Sequence, residues 1–205
     1  MNTFIFDIGN VLLDYSPQKM VERVIGKGEK SKYYADILFS RYYWARLDVD
    51  EITVEDEKED LKRVLSHEEH QLACHILDRW LEEITQIEGI LELLSLLKDR
   101  GYKLYYLSNI CSQFIEQGYS YPHIASLLEK FDGGVISGPL HIVKPDDRIY
   151  FHLFGKYNIN PEDTLYIDDN EDNIIAGKKL GLETYLFDGD AYKLKDYILS
   201  VIDRK

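Results

Sequence analysis

Cysteine and positive charge are both scarce in this 205-residue chain. The two cysteines, Cys74 and Cys111, stand far apart with no second thiol near either. That excludes a disulfide framework and a clustered zinc spacing, and it fits a reducing cytoplasm. Lys and Arg number 24 against 37 Asp and Glu, for a formal charge of −13. Such a surface repels phosphate backbones, and no local basic run offsets it, so neither nucleic acid nor an anionic membrane is an expected partner. No uninterrupted apolar run of about 18 residues occurs, which argues against a membrane span. The opening MNTFIFDIGN has no basic n-region, so no secretory signal is expected there. Internal repeats and low-complexity linkers are absent as well.

With 45% apolar residues, the chain can build the core of one α/β domain that carries an insertion. Thr3 to Asp7 reads as a buried strand stopping at a polar edge. The pattern recurs. Tyr102 to Leu107 runs into Ser108-Asn109, Gly134 to Ile136 into Ser137, Leu165 to Ile167 into Asp168-Asp169, and Thr184 to Phe187 into Asp188. Helical spacing covers Ile90 to Leu97, Ile149 to Tyr157 and Asn173 to Leu180. Gly101 and Gly181 each follow a basic last helical turn and lead into a strand, as residues just past a helix end do. Strand alternating with helix predicts a Rossmann-like, doubly wound parallel sheet.

From about Pro17 to Ile87 no strand is legible, but amphipathic segments cover Gln18 to Ile25, Tyr33 to Leu47, Val54 to Leu65 and His67 to Ile84. This predicts a helical subdomain, residues 17–87, inserted into a core of residues 1–16 and 88–205. Ser66 with Glu69, and Thr53 with Asp56, have the spacing of capping boxes.

In such a sheet the carboxyl ends of neighbouring strands meet at one edge, where ligands bind. Asp7, Ser108, Asp168 and Asp169 are therefore expected to converge. Acidic side chains gathered there repel one another unless a cation lies between them, and an all-oxygen donor set suits Mg²⁺ better than Zn²⁺. Lys144 follows the third strand and can reach the same edge, and Pro145 suits the first turn of the next helix. A carboxylate nucleophile, a hydroxyl and amide, a lysine and a metal-binding acidic pair are the parts that phosphoryl transfer requires.

FIFDIGNVLLDY, YYLSN, VKPDDRIY and YIDDNEDNIIAG, in that order and spacing, resemble the four motifs of haloacid dehalogenase superfamily hydrolases. The D-x-G-N-V start and I-D-D-N-x-x-N ending are similar to the branch containing bacterial sugar-phosphate phosphatases and the phosphatase domain fused to epoxide hydrolases. The insertion resembles that superfamily's mobile helical cap. The resemblance implies Asp7 as the nucleophile that becomes an aspartyl-phosphate, and the Gly9 carbonyl as a metal contact. It implies Ser108 and the Asn109 amide as a phosphate clamp, and Lys144 as the partner of nucleophile and phosphate. Asp169 matches the direct metal ligand, with Asp168 and Asn173 around the metal's water shell. The implied activity is Mg²⁺-dependent hydrolysis of a small phosphorylated metabolite by a cytoplasmic monomer or homodimer.

One position departs from that pattern. Superfamily phosphatases usually place a second Asp two residues after the nucleophile, to protonate the leaving group and activate water, and here that residue is Gly9. Loss of a general acid/base costs about 10²- to 10⁴-fold, which favours a good leaving group such as the anomeric oxygen of a hexose 1-phosphate. Asp14, His123 and His141 are candidates for the missing relay. In the insertion, Arg41, Arg46 and His67 are candidates for reading the rest of the substrate, and Tyr33, Tyr34, Tyr42, Tyr43 and Trp44 either line a pocket or pack the helices together. Two alternatives stand beside hydrolysis of a phosphomonoester: a phospholigand-binding protein of impaired turnover, and cleavage of C–X or C–P bonds.

Overall fold

A computed structural model describes residues 1–203. The chain begins with β1 (Thr3–Phe6), turns through a tight loop into β2 (Leu13–Asp14), and enters six helices: α1 (Pro17–Ile25), α2 (Glu29–Leu38), α3 (Arg41–Leu47), α4 (Val54–Leu61), α5 (His67–Asp78) and α6 (Trp80–Glu83). It returns through β3 (Thr85–Gln86), α7 (Ile90–Asp99), β4 (Lys103–Ser108), α8 (Ser112–Gly118), α9 (Pro122–Leu128) and β5 (Gly133–Ile136). The remaining elements are α10 (Asp147–Tyr157), β6 (Thr164–Asp168), α11 (Glu171–Lys179), β7 (Glu183–Leu186) and α12 (Ala191–Ile202).

Five strands form one parallel sheet in the order β5-β4-β1-β6-β7. β1 is central because it can be covered on both faces. Phe4 and Phe6 point into one apolar layer and Ile5 into the other, all fully buried. From β1 the chain moves outward through β4 and β5, then crosses back to β6 on the other side. That reversal opens a crevice at the carboxyl ends of β4, β1 and β6. Phe6 is level with Tyr106 and Ile167, so Asp7, Leu107 and Asp168 share the next row. Gly177 brings α11 close onto β6, since a Cβ there would meet the Tyr166 ring at 2.9 Å.

All five expected sheet strands are present, with ends displaced by at most one residue, and both capping boxes form. Three helices, α8, α9 and α12, lie outside those expected. The stretch read as free of strands ends in β3, which pairs antiparallel with β2. Those two-residue strands clip together the chain entering and leaving the six helices. On the far side the insertion is fastened by three consecutive residues. The Ser137 hydroxyl donates to the Asp48 carbonyl at 2.5 Å, the His141 ring meets the Val49 carbonyl at 2.5 Å, and the Asp50 carboxylate accepts from the Ser112 amide at 2.9 Å and from its hydroxyl. Among the described residues, no helix is long and apolar enough to cross a membrane.

Glu57 on α4 is fully buried and neither carboxylate oxygen has a hydrogen-bond partner; burial pushes its pKa up to about 8. A folded-state value above the ordinary glutamate value of 4.5 means that stability declines as pH rises from about 4.5 to about 8, while the unfolded chain ionises and the folded one does not. Glu57→Gln is therefore expected to raise stability at pH 8 by about 1–3 kcal/mol and to leave it nearly unchanged at pH 4.5. Denaturant titrations of both proteins at the two pH values check this, and parallel pH dependences would contradict it.

Candidate active site

Asp7 follows the central strand directly. Its amide donates to the Ile167 carbonyl at 2.9 Å, which holds the residue between β1 and β6. One carboxylate oxygen accepts from the Ile8 amide at 2.7 Å and faces the Lys144 ammonium at 2.9 Å. Burial pushes the Asp7 carboxyl up to about 6, against the pull of Lys144 and with a further push from Asp168; the Ser108 hydroxyl, itself buried, favours the charged form. Ionised at neutral pH but poorly solvated, this carboxylate suits nucleophilic attack.

Lys144 is buried to 1% of its side-chain surface and donates to Asp168 at 2.7 Å and to the Leu107 carbonyl at 2.9 Å. Burial alone favours the neutral amine, but Asp7 and Asp168 outweigh it and hold the pKa above its ordinary value. The Asn109 side chain clamps the backbone of the same residue, accepting from the Lys144 amide at 2.7 Å and donating to its carbonyl at 3.1 Å. Asn109 thus ties the end of β4 to the lysine loop. Pro145 lies ahead of α10 rather than in its first turn, because Asp146 caps the helix by accepting from the Arg148 amide at 2.9 Å.

The two acidic residues that close β6 differ in their surroundings. Asp168 is fully buried, and its oxygens accept from Lys144, the Tyr166 hydroxyl, the Asn170 amide at 2.8 Å and the Asn173 side chain at 3.1 and 3.2 Å. Tyr150 stacks edge-on against Tyr166 and donates to the Asn173 carbonyl at 3.2 Å, which stiffens this group from below. Asp169 accepts one bond, from Asn10 at 3.1 Å. One oxygen each from Asp7, Asp168 and Asp169 lie within 4.8 Å of one another. Hard oxygen donors so placed fit a divalent cation such as Mg²⁺.

Over this edge lies a cavity of about 460 Å³ whose lining includes Tyr15, Arg41, Trp44, Asp48, Asn109 and Lys144. A smaller space of about 70 Å³ beside it is walled by Gly9, Ser108, Tyr15, Trp44 and Trp80 among others. Of the residues considered for substrate reading, Arg41 and Trp44 reach the cavity, while Arg46 pairs with Glu51 at 2.9 Å and His67 is exposed. Tyr33 and Tyr42 face solvent, and Tyr34 is packed among the helices. None of the relay candidates touches Asp7: Asp14 pairs with Lys19, His123 with the Leu81 carbonyl and His141 with the Val49 carbonyl.

Sequence reasoning passed over Asn10, Tyr166 and Asp48. Asn10 and Tyr166 stand inside the motif strings and were within reach. Asp48 had no local signal.

A model of haloacid dehalogenase-like hydrolases matches residues 1–181. D-ribitol-5-phosphate phosphatase of Bacteroides thetaiotaomicron is 28% identical over 198 residues, covering 90% of this chain and 91% of that protein. A phosphoglycolate phosphatase of Haemophilus influenzae is 24% identical over 170 residues, covering 82% of this chain and 69% of its own. A haloacid dehalogenase-family enzyme of B. thetaiotaomicron, solved with magnesium and inorganic phosphate, superposes with a TM-score of 0.68 at 19% identity, covering 90% of this chain and 93% of its own. L-2-haloacid dehalogenase of Xanthobacter autotrophicus superposes at 0.64 with 18% identity, covering 90% and 76%. At these identities the superpositions show a shared fold.

Proposed function

Since the chain belongs to the haloacid dehalogenase-like hydrolases, we propose that it hydrolyses a small phosphomonoester through a phosphorylated Asp7. The observation that supports this most is the Asp7–Lys144–Asp168 group, in which one buried ammonium bridges two carboxylates 2.9 and 2.7 Å away. Asp7 attacks phosphorus in line, and Lys144 offsets the charge that builds on the phosphoryl oxygens. Ser108 holds another of those oxygens, and the Asn109 side chain keeps the lysine loop in place. Asp7, Asp169 and the Gly9 carbonyl are the proposed direct contacts of Mg²⁺. Asp168, its hydrogen-bonding capacity already used by protein donors, orients Lys144 and, with Asn173, would border the metal's water shell. When bound, the cation supplies charge neutralisation that lets a dianionic substrate approach the carboxylates.

Residues 17–87 act as a cap over the core formed by 1–16 and 88–205, excluding bulk water while Arg41 and Trp44 contact the rest of the substrate. The phosphorylated polyol and acid named for the curated relatives make a sugar, polyol or short-acid phosphate the favoured class. A hexose 1-phosphate, with its good leaving group, is one specific candidate. A second reading, a phospholigand-binding protein with little turnover, is favoured only by the glycine at position 9.

Purified protein, Mg²⁺ and a panel of sugar, polyol and short-acid phosphates separate the two. Release of inorganic phosphate from at least one compound is expected. Silence across the panel, with melting temperature raised by the same compounds, would favour binding without turnover. Saturating Mg²⁺ alone is expected to raise the melting temperature, by about 2.7 kcal/mol of stability at 100 times Kd. Asp169→Asn should remove most of that rise and leave the metal-free melt near wild type; an undiminished rise would exclude Asp169 as a ligand.

A further inference from the structure

We propose that Asp48, at the end of α3 in the insertion, is the general acid and base that position 9 does not supply. The inference rests on the phosphatase reading above. As an Asp7 oxygen bonds to phosphorus and the bond to the leaving oxygen breaks, the Asp48 carboxyl gives that oxygen its proton. In the second step the Asp48 carboxylate takes a proton from the water whose oxygen attacks phosphorus. The bond to Asp7 then breaks, and both side chains return to their starting states.

Three observations converge on this residue. Asp48 lines the same cavity as Lys144 and Asn109. In-line displacement places the leaving oxygen on the side of phosphorus away from Asp7, towards the cavity that Asp48, Trp44 and Tyr15 help to wall. Asp48 is also held there without using its carboxylate. Its amide donates to the Trp44 carbonyl at 2.9 Å, its carbonyl accepts from Ser137, and the next two residues are bound to His141 and Ser112. The carboxylate accepts no hydrogen bond from any described residue, and so remains free for substrate. A general acid needs that combination of fixed backbone and uncommitted side chain.

Position 9 explains why the duty falls elsewhere. A Cβ there would meet nothing nearer than the Tyr15 Cβ at 4.0 Å, and the backbone is not left-handed, so space does not demand glycine. An acid at 9 is simply not provided, and Asp14, His123 and His141 are engaged elsewhere. Glu57 is buried but lies outside the cavity lining. Burial pushes the Asp48 carboxyl up to about 7, with Asp7 adding to the rise and Lys144 opposing it. Tyr15 and Cys111 also sense its charge, and Arg41 stands on the same cavity wall. Near neutrality Asp48 can thus both give and take a proton.

The test compares wild type, Asp48→Asn and Asp48→Glu on 2,4-dinitrophenyl phosphate, p-nitrophenyl phosphate and an alkyl phosphate, with melting temperatures confirming the fold. For Asp48→Asn, kcat/KM is expected to fall by about 10²- to 10⁴-fold on the alkyl phosphate and far less on the dinitrophenyl ester, whose leaving group needs no proton. Phosphorylated Asp7 should accumulate, because its hydrolysis has lost its base, and Asp48→Glu should recover part of the rate. An equal loss for every leaving group, a loss confined to KM, or unchanged kinetics would overturn the assignment. Wild type silent on all three esters, or activity that survives Asp7→Asn, would instead overturn the phosphatase reading itself.

Discussion

Asp7→Asn is expected to reduce phosphate release by at least about 10⁴-fold, since no other carboxylate is placed to attack: Asp48 stands on the leaving-group side of the cavity. Asp168 is saturated by donors, and Asp169 sits beyond it at the more open end of the acidic group. An amide cannot form the acyl-phosphate, and what remains is the contribution of binding and charge alone. The same substitution should leave the metal-free protein as stable as wild type or more so. Burial raises the Asp7 carboxyl to about 6. Holding it ionised in the folded state therefore costs stability that begins near pH 4 and is complete above about 6, and the neutral amide removes that cost. Lost activity with an undiminished melting temperature at pH 7.5 is the mark of a residue kept for chemistry rather than for folding. Lost activity with a collapsed fold would place Asp7 among the structural residues.

Lys144→Met is expected to do the opposite to stability. Removing the buried ammonium leaves Asp7 and Asp168 close together with no cation between them, and breaking a buried ion pair in this one-sided way costs about 3–5 kcal/mol. The Asp7 carboxyl, already raised by burial, then rises further, so the variant should regain stability as pH falls towards 5, where its protonation relieves the repulsion. Activity should fall with it, because the phosphoryl oxygens lose their closest positive charge. Urea titrations at pH 7.5 and 5 read the first effect. A variant as stable as wild type at pH 7.5 would show that the Asp7–Lys144–Asp168 group is not the electrostatic centre described here.

Much of this arrangement was readable in advance, for a physical reason. Strands buried on both faces are apolar runs that stop abruptly, so Asp7, Ser108 and Asp168 announce themselves as strand ends. A doubly wound order brings such ends to one edge. Choosing between Asp168 and Asp169 was harder, since the difference lies in the donors that surround each one, and those come from α11, β6, the Lys144 loop and Asn10. The β2–β3 clip has too few residues to show alternation. Asp48 was invisible for a different reason. A single acidic residue at the end of an amphipathic helix resembles many surface residues, and its place depends on Ser112, Ser137 and His141, which are 62 to 92 positions away from the residues they hold. Contacts of that range arise only once the insertion folds back onto the sheet.

The most direct measurement is acid-quenched peptide mass spectrometry of the protein during turnover of p-nitrophenyl phosphate with Mg²⁺. One phosphoryl group is expected on the peptide containing Asp7, labile to hydroxylamine, more abundant in Asp48→Asn and absent in Asp7→Asn. Steady release of phosphate with that peptide never modified, in wild type or in Asp48→Asn, would contradict attack by Asp7.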